Sequence, residues 1–205
     1  MADYAKGSPR HRESLTVFAM LSSETKSLPP QLETCAHDFQ HASEDARNLL
    51  TYTDEEALRK RRSAASWSAL ECVVHLNLAT QAMLPGIRRA VEEALPSSSD
   101  PPKYKMDFAG RLLAWSLEPP VFIKLKAPKL AQPLASSGPE PVWQEFERLH
   151  AELIELLHAS AGKAIDQQKM KSPFANMHYS AYSAFRIIAA HDRRHLWQAH
   201  KSLER

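Results

Sequence analysis

Residues 180–203 read SAYSAFRIIAAHDRRHLWQAHKSL, and the spacing inside this stretch decides the fold class. Ala184, Ile188, His191, His195 and Gln198 follow one another at steps of three or four residues, the period at which side chains share one face of an α-helix. Two imidazoles therefore continue an apolar stripe, one turn apart. Histidines stacked in such a stripe need buried hydrogen-bond partners, because an unsatisfied polar group in an apolar setting is costly. A metal ion shared between the two rings meets the same need, and spacing alone does not choose between these solutions.

Three more helical patterns precede this one. Residues from about 31 to 50 follow Pro29 and Pro30 and carry Leu32, Cys35, Phe39, Ala42, Ala46 and Leu49 at helical spacing. A second pattern starts at Ser66 or Ser68, with Glu71 three residues after Ser68 as a capping-box partner, and runs toward Leu95 with Pro85 expected to kink it. The third spans about residues 142–169 through Val142, Phe146, Leu149, Leu153, Leu156 and Leu157. Nine of the 14 prolines lie from Pro96 to Pro141, so the second and third helices are joined by a long irregular crossover. Within it, residues 107–117 suit a short helix carrying Leu112, Leu113 and Trp115. A long connection lets the helices it joins lie parallel, whereas short loops force antiparallel neighbours. The predicted architecture is all-α, a four-helix bundle with a Pro-rich crossover between helices 2 and 3 that folds over one end as a lid or pocket wall. Residues 1–29 form an N-terminal extension, with a short helix expected at about 14–22, and residues 30–205 form the bundle domain.

Composition narrows the function. The chain has 205 residues, 43% of them hydrophobic and 24% charged, which suits one globular domain with a sizeable core. Lys plus Arg number 26 against 24 Asp plus Glu, and the charges are interspersed, so nucleic acid is not an implied partner. No apolar run approaches the roughly 20 residues that span a bilayer. Two cysteines, Cys35 and Cys72, provide no disulfide framework, and a reduced cytoplasmic setting is expected.

Ten histidines are present, and they separate by neighbourhood. His75 lies on the apolar side of the second helix, in SWSALECVVHLNLA. With His191 and His195 it makes a set of three imidazoles, which would leave one metal position open for chemistry. Cys72, three residues earlier, suits either a soft ligand or a small core residue. Glu71, one turn before His75, suits either a carboxylate holding a ligand imidazole or the capping box alone. His37 and His41 repeat the four-residue spacing in HDFQH, but on a mixed face leading to Asp45, which suits a solvated pair or, as the alternative, a second metal site. HDRRH departs from the HExxH pattern of zincins: Asp192 is one methylene shorter than the Glu that acts there as general base, and only ten residues follow His195. Asp192 is expected at the surface or beside Arg193 and Arg194. Trp67 and Trp197 are expected to anchor packing.

Trp67, Ser68, Glu71, His75 and Leu76 on the second helix, together with His191, His195 and Gln198 on the last, resemble the DinB/YfiT-like superfamily of metal-dependent hydrolases. The resemblance covers the bundle from about residue 30 onward. It implies a mononuclear site in which His75, His191 and His195 bind zinc, nickel or another divalent ion, with Glu71 and Gln198 beside the ligands, in a protein that is often a homodimer. It also implies a small-molecule substrate. Related members transfer bacillithiol or mycothiol, or isomerise substrates with mycothiol as cofactor, so a low-molecular-weight thiol is an implied cosubstrate. The expected activity is activation of water or of such a thiol, giving a hydrolase or a thiol S-transferase. The alternative is a non-catalytic bundle, its metal structural or absent, acting through a protein partner. The extended N-terminus and the Pro-rich crossover depart from a minimal member and leave the substrate open.

Overall fold

The computed structural model describes residues 27–120, 127–133 and 138–204. Four long helices make the bundle: α1 (Pro30–Tyr52), α3 (Ala69–Glu93), α5 (Pro139–Ala159) and α6 (Ala181–Leu203). Two short helices, α2 (Glu55–Arg59) and α4 (Phe108–Leu117), lie in the first and second connections. The short helix expected at residues 14–22 lies outside the described residues. No helix among those described is long and apolar enough to cross a membrane.

Local sequence accounts for where the helices start. Pro30 occupies the first turn of α1, where a missing N–H costs nothing. Ser68 caps α3: its hydroxyl accepts the Glu71 N–H while the Glu71 carboxylate accepts the Ser68 N–H. Asp107 caps α4 and Ser180 caps α6. The α3 helix continues through Pro85 to Glu93.

Cross-helix bonds set the directions. Asn77 donates to the Val142 carbonyl at 2.9 Å, Gln81 to Glu145 at 2.6 Å, and Arg88 pairs with Glu152. The separation stays at 64 or 65 residues along these pairs, so α3 and α5 run parallel, as the long crossover allows. Asp38 pairs with Arg186 at 3.2 Å and Asp45 with His200 at 2.7 Å, which makes α1 and α6 parallel. Between α3 and α6 the order reverses: His75 meets His191, while Arg62, just before α3, donates to the Lys201 carbonyl. The bundle is therefore up, down, down, up, with α1 between α5 and α6 and α3 facing both of those helices from the other side.

The third helix is shorter than its apolar pattern predicts. It ends at Ala159 rather than near Lys169, because Gly162 turns the chain at φ +86°, a conformation that L side chains rarely adopt. The chain then pairs with the end of α3, Ser97 N–H to the Gly162 carbonyl at 2.7 Å and Ala164 N–H to the Leu95 carbonyl at 2.8 Å. An antiparallel hairpin follows, β1 (Lys169–Lys171) with β2 (His178–Ser180). Ile165 is buried from the irregular segment after α5, and Met170 from β1. Three-residue strands are too short for an alternation to register in a sequence.

Two apolar clusters fill the bundle. One gathers Leu70, Val73, Leu76, Phe146 and Leu196 toward the start of α3; the other gathers Phe39, Leu84, Ile87, Leu153, Phe185 and Ile188 toward its end. Helix α4 lies outside the bundle against α6, with Leu112 and Trp115 exposed and Ala114 and Leu117 buried. Gly110 permits that approach, since a Cβ there would overlap the Ser183 side chain. Gly110→Ala is expected to overpack the α4–α6 contact and lower stability by about 1–3 kcal/mol, and Ser68→Ala to lower it by about 1 kcal/mol, both measurable by denaturant unfolding.

Candidate metal centre

His75 projects from the second turn of α3, and His191 and His195 project from α6, one turn apart. The antiparallel contact of these two helices brings the rings into a near-equilateral group, with centroids 4.9 Å apart for His75 and His191, 4.5 Å for His75 and His195, and 4.6 Å for His191 and His195. One ring nitrogen from each lies within 4.8 Å of the others, and the group can hold a metal ion. No other cluster of three or more His, Cys, Asp or Glu among the described residues does so.

Ring orientation follows from the neighbours. The His75 Nδ1–H donates to the Ala131 carbonyl at 2.5 Å, leaving Nε2 as the free nitrogen. That atom lies 3.1 Å from Nε2 of His191, close to the about 3.3 Å that separates two nitrogens on a tetrahedral ion with bonds of about 2.05 Å. The buried Nδ1 of His195 has no hydrogen-bond partner among the described residues, a cost that coordination of the ring cluster would help to offset. Burial holds all three imidazoles in the neutral form that binds metal. His75 is shifted down by desolvation, His191 is pushed down to about 3 by desolvation together with the charges of His75 and Arg194, and His195 is driven lower still by the same causes with His191 added.

Among the residues expected beside the ligands, Gln198 lines the same cavity, one turn of α6 beyond His195. The Glu71 carboxylate is taken by the Ser68 N–H and by Arg61, so it closes the capping box, while the carbonyl that fixes the His75 ring comes from Ala131. Nothing in the sequence around Ala131 marks it, because any residue can offer a backbone carbonyl. Trp67, read as a packing anchor, packs on the site itself, its ring 4.7 Å from His75 and 5.7 Å from His195. Trp197 is partly exposed and also lines the cavity. Cys72 is buried and its thiol is pushed up to about 12 by desolvation, which keeps it a core residue rather than a thiolate. Both cysteines are unpaired. His37 and His41 are exposed on α1 with ring centroids 4.1 Å apart.

Asp192 is the principal correction. Expected at the surface or beside the arginines, it is 1% exposed and meets Nε2 of His150 at 3.0 Å across the bundle. The reason is angular: about 100° per residue places position 192 on the core side when 191 and 195 face α3. His150, which spacing did not single out, stacks on Phe146 at 3.9 Å, and its Nδ1–H donates to the Phe146 carbonyl at 2.9 Å. The Nε2···Oδ2 contact must then hold a proton of its own, since both atoms would otherwise be acceptors. Arg193 turns the other way, to Asp38 at 3.1 Å and to Glu118 at the end of α4.

The three imidazoles sit in the wall of a cavity of about 770 Å³. The crossover supplies part of that wall through Leu113, Leu117, Ala127, Pro128 and Ala131, and the hairpin region supplies Phe174, Met177 and Tyr179. Asp192 belongs to the core and not to this cavity. Asp192→Ala is therefore expected to cost about 3 kcal/mol of stability by stranding His150, while leaving metal stoichiometry unchanged; loss of metal in a folded Asp192→Ala protein would contradict that assignment.

No curated protein and no solved structure matches the chain. The sequence profile of the DinB superfamily matches residues 34–199, which takes in α3 and α5 whole, most of α1 and α6, and all three clustered histidines. The chain belongs to the DinB superfamily.

Proposed function

We propose that the protein is a metal-dependent enzyme in which His75, His191 and His195 hold one divalent ion and a small molecule reacts in the adjoining cavity. The observation that carries this reading is the meeting of three neutral imidazoles, those of His75 and His195 buried and that of His191 half-buried, in the wall of a cavity of about 770 Å³. A volume of this order suits a small-molecule ligand. Three uncharged ligands leave the ion's full charge, which would bring the pKa of a coordinated water or low-molecular-weight thiol toward neutrality. Zinc and nickel both suit imidazole donors. The reaction class is hydrolysis if water is the nucleophile and S-transfer if a thiol is.

The chain's own residues would do the rest. Ala131 holds the His75 ring through Nδ1, Trp67 shields one side of the cluster, and the apolar wall excludes bulk water from the reacting groups. A purely structural ion is normally closed by four protein ligands, and among the described residues the cluster has three. That count favours the catalytic reading over the non-catalytic bundle.

Elemental analysis after reconstitution is expected to find one ion per chain in the wild type and to lose that stoichiometry in His195→Ala, with helicity retained. Equal metal in both proteins would refute the site. Ester hydrolysis and thiol transfer to a chromogenic electrophile, assayed with glutathione, coenzyme A, bacillithiol and mycothiol, should identify the nucleophile; activity that persists after the ion is chelated would refute the mechanism.

A further inference from the structure

Helix α1 carries a second pair of histidines, outside the cavity. His37 and His41 stand one turn apart and exposed, their ring centroids 4.1 Å apart and their planes tilted by 43°. Four-residue spacing on a helix is what lets two histidines share one zinc ion in the HExxH pattern. An ion bonded at about 2.05 Å to one nitrogen of each ring keeps the ring centres about 4.5–5.2 Å apart. Small rotations within the side-chain wells supply the difference, and exposed rings are free to make them. Side chains of this length could diverge into water; these two converge.

The surrounding charge suits a cation. From Pro30 to Ala46 the helix has four carboxylates, Glu33, Asp38, Glu44 and Asp45, and no lysine or arginine. Glu33 lies one turn before His37 and Asp45 one turn after His41, so the imidazole pair is flanked by acidic groups on its own helix. Helix α6 offsets part of this charge: Arg186 and Arg193 meet Asp38 at 3.2 and 3.1 Å, and Nε2 of His200 meets Asp45 at 2.7 Å. Imidazole nitrogens suit zinc, nickel and copper, whereas calcium and magnesium take oxygen ligands. The pair therefore selects a transition metal.

We infer that His37 and His41 form a second metal site, a surface clamp that takes one zinc, nickel or copper ion through two nitrogens and leaves its other positions to water. It stands apart from the cavity and does not rest on the reading of the histidine cluster there. Two exposed ligands hold an ion more loosely than three in a cavity wall, so this ion exchanges with the medium. Desalting removes it, which preserves the stoichiometry of one retained ion expected above.

The test is calorimetric titration of zinc into the full chain after reconstitution with zinc and desalting. The wild type is expected to take up one further ion. His37→Ala and His41→Ala are each expected to weaken that uptake by about tenfold or more, since loss even of a group that only supports a ligand costs about 10–100-fold in metal affinity. Both positions are exposed, so the variants keep the fold, which circular dichroism checks. Absence of further uptake in the wild type would overturn the inference. Weakening by less than tenfold in either variant would also overturn it, because it would mark adventitious binding elsewhere on the surface. The ion retained after desalting is expected to be the same in the wild type and in both variants, so failure of the clamp is distinct from failure of the cavity site, which the His195→Ala stoichiometry reads.

Discussion

The antiparallel contact between α3 and α6 is the constraint from which the rest of the molecule follows. It sets a ring from one helix against two from the other, with His75 and His195 buried and His191 half-buried, and desolvation there favours the neutral forms. Burying imidazoles without partners would be unfavourable, so the contact also determines what must surround them: a carbonyl for His75, an aromatic wall from Trp67 and a cavity on the open side. The pairing needs α6 to run against α3. With α5 parallel to α3, the long crossover is the connection that makes this possible.

One turn of α6 shows how a helix distributes work by angle. His191, Arg194 and His195 face the cavity, Asp192 crosses the core to His150, and Arg193 ties α6 to Asp38 of α1 and to Glu118 after α4. The His150–Asp192 pair lies between the two apolar clusters, where a buried polar contact is costly to break and restricts how the helices can slide past one another. The ion pairs of Arg193 fix rotation from the opposite side. Residues with little chemistry of their own thus hold the two ligand histidines in register with the third.

The crossover serves two purposes at once. Its α4 helix and the short turn at Lys129–Ala131 wall the cavity, and the same turn provides the carbonyl that orients His75. Ligand contacts and ring orientation are therefore carried by one segment. The close approach of α4 to α6 depends on Gly110, and with it the position of Leu113, Leu117 and the Ser116 carbonyl that holds Arg194.

Helical periodicity, proline placement and the Ser68–Glu71 spacing were sufficient to reveal the four long helices, the crossover, the parallel pair it permits and the three histidines of one site, because these are regularities along the chain. Folding alone decided that Asp192 meets His150, that Ala131 rather than Glu71 holds the His75 ring, that α5 stops at Ala159 and that Arg194 lines the cavity. Each of those depends on which atoms arrive from distant segments, and a backbone carbonyl or a helix face carries no mark in sequence of what will be packed against it.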